Sequence, residues 1–234
     1  MVLSCYNANI VRFINKEGAE LFQIGKNKTG SRTYDTVYVK DDNSVVVSSG
    51  RENYSCITII DIERREVMPT ISMDTLIFGM AIRGRTIYYC TLDKGIMMLN
   101  LSDKSVSDII NSNMTGVYHI ATSGEKLYYS NCISHTVTCC DLHGTTQWEF
   151  KDERVIYCPL GISVDNDGNV YVVGYNSNNV VVFSPDGQRH RQLLSDMDGI
   201  VNPTVLDYDK FTNKLLVVNS SINAFLFDVT VKQN

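Results

Sequence analysis

The stretch 159–187, PLGISVDNDGNVYVVGYNSNNVVVFSPDG, decides the expected fold. It holds three short apolar runs, 161–164, 170–173 and 180–183, each closed by turn residues, and 190–194 can follow as a fourth strand. Asn166-Asp167-Gly168-Asn169 and Pro185-Asp186-Gly187 are turns for chemical reasons. Gly reaches positive φ without a Cβ clash, Asp and Asn tolerate left-handed backbone, and Pro presets its own φ. Four antiparallel strands in about 40 residues make one blade of a β-propeller.

The same unit recurs along the chain. Turns joining first to second strands fall at Asn43, Arg85, Glu125, Gly168 and Asn213, spaced by 42, 40, 43 and 45 residues. Turns joining third to fourth strands fall at Gly18, Arg64, Asp103, Gly144 and Gly187, spaced by 46, 39, 41 and 43. Two interleaved series with β-rich runs between them predict a propeller, and no helical period runs long enough to compete.

The two ends resemble each other. LVVNSSINAFLFD at 216–228 aligns with VLSCYNANIVRFI at 2–14, and both read as second strand, polar loop, third strand. The expectation is therefore an all-β, six-bladed β-propeller in one domain, with blades at about 1–27, 28–73, 74–112, 113–152, 153–197 and 198–234. Each blade would be four-stranded, lacking only the first strand of blade one and the last of blade six. On this reading the missing closure strands precede Met1, and the chain is a piece of a longer protein.

Composition bounds the function. The 234 residues are 44% hydrophobic and 20% charged, normal for a globular domain, and the net charge of −5 argues against nucleic acid or anionic membrane as the default partner. The start lacks a basic, apolar leader, so the expected location is cytoplasmic. The seven cysteines form no CxxC pair, which argues against a zinc site, and Cys56, Cys90, Cys139 and Cys140 read as buried small hydrophobes. Sequons at Asn27, Asn53, Asn100, Asn113 and Asn219 read as chance in an Asn-rich chain.

Pro-x-Gly-Ile-x-Val-Asp-x-x-Gly-Asn-Val-Tyr-Val at 159–172, followed by Asn178, Asn179 and Asp186-Gly187, resembles the NHL repeat. The ending, with Leu215 to Asn219 and Ala224 to Asp228, resembles the C-termini of tripartite-motif (TRIM) NHL proteins, notably the invertebrate sets of B-box proteins. Residues before 153 keep the period without the Gly-Asn and Val-Asp signature. The resemblance implies a propeller that recognises protein or RNA targets behind RING, B-box and coiled-coil modules, often within a ubiquitin ligase. Ligase activity would belong to those modules.

No GxSxG, HExxH, P-loop or GxGxxG occurs, so no catalytic residues, cofactor, metal or small-molecule substrate are assigned. Asp165-x-Asp167-Gly168 lacks the spacing and distal Glu of a calcium loop and reads as a plain turn. His119, His135, His143 and His190 are too dispersed, and too poor in neighbouring carboxylates, for a metal site. Trp148, in the strand 146–150, is expected to pack between blades.

Binding remains, on the edge formed by loops between second and third strands and by links between blades. Lys26, Lys28, Arg32, Arg51, Lys94, Lys151 and Arg154 there face Glu52, Asp74, Asp93, Asp152, Glu153, Asp196 and Asp198. That balance suits a protein partner better than RNA phosphates. Candidate contact residues are Arg32, Arg51, Tyr54, Lys94, His135, Tyr175 and Asn176, the last two within the GYNSNN turn at 174–179. RNA on the same edge is the first alternative and a propeller hydrolase or lyase the second.

Overall fold

The computed structural model describes residues 2–5, 9–15, 17–25, 32–51, 54–111, 114–221 and 223–229. They fall into two compact units, 1–114 and 115–234. All paired strands are antiparallel.

In residues 1–114 the first sheet has three strands, β1 (Val2–Cys5), β2 (Ile10–Ile14) and β3 (Glu20–Ile24). The next runs β4 (Thr33–Val39), β5 (Ser44–Arg51) and β6 (Tyr54–Asp61). Its outer position is split into β7 (Glu66–Val67) and β8 (Ile71–Met73), both paired to β6. Pro69 lies in the gap, where it has no N–H to offer the ladder. The third sheet is β9 (Ile77–Arg83), β10 (Thr86–Thr91), β11 (Ile96–Asn100) and β12 (Val106–Ile110).

In residues 115–234, β13 (Val117–Ser123), β14 (Lys126–Asn131), β15 (Thr136–Asp141) and β16 (Thr146–Phe150) form one four-stranded sheet. A second contains β17 (Pro159–Val164), β18 (Val170–Gly174), β19 (Asn179–Phe183) and β20 (His190–Leu194). The short 3-10 turn Asp196–Asp198 leads into a three-stranded sheet of β21 (Pro203–Asp209), β22 (Lys214–Asn219) and β23 (Ala224–Asp228).

These widths correct the expectation of six four-stranded blades. Six such blades need 24 strands. The described residues supply 23, and β7 with β8 share one position beside β6. That suffices for five four-stranded blades, not six.

The turn chemistry explains the repeat. First-to-second-strand turns carry positive φ at Asn43, Gly84, Gly124, Gly168 and Asn213, and third-to-fourth turns at Gly18, Arg65, Lys104, Gly144 and Gly187. The core is shared between neighbouring sheets. Val39, Val46 and Ile57 pack with Ile77, Ile87 and Tyr89 in the first unit, and Tyr171, Val173 and Val180 with Leu206, Tyr208 and Leu215 in the second. Gly161 lets β17 and β21 approach closely, since a Cβ there would stand 2.6 Å from the backbone nitrogen of Leu206.

Candidate functional site

In residues 115–234 the expected binding edge is built from the turns 132–135 and 175–178 and from the links 151–158 and 195–202. His135 closes the β14–β15 turn at φ 59, the position held by Asn178 (φ 51) in the β18–β19 turn. Cys158 stands directly before β17 at φ 54, where Gly116 precedes β13 and Asn202 precedes β21. Gly and Asn take left-handed backbone cheaply, and a cysteine does so at a cost.

The two residues meet. The Cys158 N–H donates to Nδ1 of His135 at 3.3 Å, and the His135 ring lies 4.4 Å from that of Tyr157. An accepting Nδ1 places the ring proton on Nε2 in the neutral imidazole. Cys132, at the other end of the turn, is anchored by its N–H to the Gly116 carbonyl at 3.0 Å. Cys132 and Cys158 are both half-buried. Burial raises both thiols, Cys158 to about 11.

The loops are braced together. Tyr157 donates its N–H to Ser177 Oγ at 3.0 Å, and the N–H groups of Tyr175 and Asn176 donate to the carbonyls of Cys158 and Tyr157 at 3.0 and 3.1 Å. Asn179 Nδ2 donates to the Val155 carbonyl at 2.8 Å, and Asn202 Nδ2 to the Tyr175 carbonyl at 3.2 Å. Asn219 Nδ2 reaches the Gly199 carbonyl at 2.9 Å. From this lattice Ile133 (59% exposed), Tyr157 (39%), Met197 (94%) and Val201 (49%) face outward. Apolar side chains on an ordered backbone lose little conformational entropy when a partner covers them.

The candidate residues therefore divide. His135, Tyr175 and Asn176 come together, Tyr175 half-buried and Asn176 exposed. Arg32, Arg51, Tyr54 and Lys94 belong to residues 1–114. There Arg51 ends β5 opposite Tyr54, which begins β6 and so stands in a strand, not the expected loop. Arg32 is exposed and its carbonyl accepts the Gly50 N–H at 2.9 Å. Lys94 pairs with Asp74 at 2.5 Å. Lys26, Lys28 and Glu52, weighed in the edge's charge balance, lie outside the described residues.

One cation of this edge is matched locally. Arg154 grips Asp152 through two hydrogen bonds, 2.9 Å from Nε and 2.7 Å from Nη2, which hold that carboxyl down at about 2. Such exposed pairs contribute little stability but leave less free positive charge for phosphates.

The other three histidines stand outside these loops. His190 packs on Phe150 and Phe183 at 4.9 and 6.0 Å, His143 lies in the β15–β16 turn, and burial lowers His119 in β13 to about 4. Among the described residues no three His, Cys, Asp or Glu side chains are placed to hold a metal ion, and no helix is long and apolar enough to cross a membrane.

Sequence reasoning missed Cys132, Ile133, Tyr157, Cys158 and Met197. One signal was available: His135 and Cys158 occupy repeat positions that Gly or Asn fills in neighbouring sheets.

No family model matches the chain, and no curated protein does. Solved structures do resemble it. Catalytically inactive H270A virginiamycin B lyase from Staphylococcus aureus with quinupristin superposes at TM-score 0.68 and 15% identity, over 97% of this chain and 80% of that one. A streptogramin B lyase structure gives 0.69 at 13% over 99% and 80%. A chain of the nidogen/laminin complex gives 0.71 at 14% over 96% and 92%. At such identities the likeness establishes the fold, a β-propeller.

Proposed function

We propose that the chain is a non-enzymatic, cytoplasmic protein-recognition scaffold that binds its target on the braced loop edge around Tyr157. The observation that carries this reading is the exposure of Ile133, Tyr157, Met197 and Val201 on loops fixed by cross-bridging hydrogen bonds. The likeness to a propeller in the nidogen/laminin complex supports a protein partner for this fold. The NHL-like stretch 159–187 supports the finer reading, target recognition within a TRIM-type ubiquitin ligase.

RNA binding is the second reading, and the exposed Arg32 and Arg51 are what favour it. The test is a photocrosslinking amino acid placed at Tyr157 or, as the control, at Phe211, a 91% exposed residue in the β21–β22 turn at the opposite edge. In cell extract the first position should give a discrete protein adduct and the second none. Adducts to RNA, or equal yields at both positions, would refute the protein-recognition reading.

A further inference from the structure

The exposed apolar residues of the loop edge in residues 115–234 stand among charges that do not balance. The links 151–158 and 195–202 hold two cations, Lys151 and Arg154, and four anions, Asp152, Glu153, Asp196 and Asp198. Arg154 is engaged by Asp152. Lys151 is then left against three carboxylates, an excess of two negative charges. Asp196 and Asp198 bracket the 94% exposed Met197, and Glu153 comes four residues before Tyr157. The turn that carries Met197 is fixed. Ser195 Oγ accepts the Met197 N–H at 3.2 Å, Asp198 Oδ2 accepts the Ser195 N–H at 2.9 Å, and the Gly199 N–H closes on the Asp196 carbonyl at 3.0 Å. Ile200, fully buried, anchors its end. Asn202 joins this link to the 174–179 turn through its N–H, which donates to Asn178 Oδ1 at 2.7 Å, and that turn is bonded to Tyr157 and Cys158. Glu153 and Asp196 are exposed, and among the described residues neither side chain has a hydrogen bond or an ion pair.

We propose that the segment this edge takes from its protein target is apolar and basic together, with Lys or Arg flanking one or more large apolar side chains. This inference rests on the protein-recognition reading and names the chemistry of the partner. The apolar side chains of the segment cover Ile133, Tyr157, Met197 and Val201, the part of such a contact that carries most of the affinity. The flanking cations meet Glu153 and Asp196, which orients the segment and turns away acidic ones. Asp198, already tied to Ser195, adds to the field while holding the turn. The same excess of negative charge repels phosphates, so RNA does not fit this part of the edge.

The test uses the full chain with a photocrosslinking amino acid at Tyr157, alone and combined with Glu153→Lys/Asp196→Lys, both proteins keeping the β-sheet circular dichroism spectrum. The probe is the protein of a cytosolic extract at about 50 and about 500 mM salt, the second screening exposed charges beyond a few ångströms. The crosslinked segments are sequenced by mass spectrometry. Segments of net positive charge are expected, with at least fivefold less adduct from the charge-reversed protein at low salt and a smaller gap at high salt. Acidic or uncharged segments, or equal yields from the two proteins, would overturn this inference and leave protein recognition standing. Absence of any protein adduct with the parent charges, or adducts to RNA alone, would overturn both.

Discussion

The indole of Trp148 lies over Gly187 in the next sheet: a Cβ on that glycine would stand 2.5 Å from the ring, and the indole N–H donates to the Pro185 carbonyl at 3.2 Å. Phe183 flanks the ring at a centroid distance of 6.3 Å. The contact locks the outer strand β16 to the β19–β20 turn. Gly187→Ala meets both this collision and a φ of 71, and should cost about 2–3 kcal/mol. Urea unfolding followed by Trp148 fluorescence, the chain having one tryptophan, measures it.

His135 should matter through its backbone as well as its ring. His135→Ala removes the acceptor of the Cys158 N–H and the Tyr157 contact while keeping a Cβ at φ 59, and should destabilise by about 1–2 kcal/mol. His135→Asn suits left-handed backbone and should recover part of that loss. Chemical denaturation of the two variants side by side checks the order.

Asp165 is 1% exposed at the β17–β18 turn. It accepts from the N–H groups of Asp167 and Asn169, from Asn169 Nδ2 and from the Tyr171 hydroxyl, at 2.8–3.0 Å. Asp165→Ala leaves those donors unpaired and should cost about 3 kcal/mol, and Asp165→Asn distinctly less. Thermal melts of both variants against the parent provide the comparison.

The acid limb of stability should carry a histidine component. Burial lowers His119 from 6.5 to about 4, so on acidification the unfolded chain takes up this proton before the folded one. The contribution is whole above pH 6.5 and is lost as the pH falls through about 4, on the order of 2 kcal/mol. Asp103, Asp141, Asp186 and Asp209 accept hydrogen bonds within their turns, which lowers their pKa values, and their contributions are lost at lower pH still. His119→Gln should flatten the stability profile between pH 6.5 and 4 without altering the steeper loss below it.

Much of the fold was legible because turns announce themselves. Gly168, Gly187 and Asn213 fall where positive φ is needed, and the two predicted turn series land within one residue of the observed left-handed positions. Blade number was not legible in the same way, because the period counts turns whereas sheet width depends on which strands pair. The candidate site was legible only in part. Tyr175 and Asn176 stood out in a polar turn, but Tyr157 and Cys158 lie in the link 151–158, where only the repeat position shared with Gly116 and Asn202 hints at the φ of Cys158 and nothing local announces its bond to His135. Lys94, expected as a contact residue, is paired with Asp74, 20 residues earlier, which the sequence placed on the same edge without showing that the two meet.

The central claim is protein recognition through the loop edge. Its most direct test is capture from cytosolic extract by the parent chain and by an Ile133→Ser/Tyr157→Ala variant with unchanged circular dichroism, each in RNase-treated and untreated halves. A discrete protein set that survives RNase and falls at least tenfold with the variant is the predicted result. Capture that vanishes with RNase, or that the variant retains in full, would contradict the account.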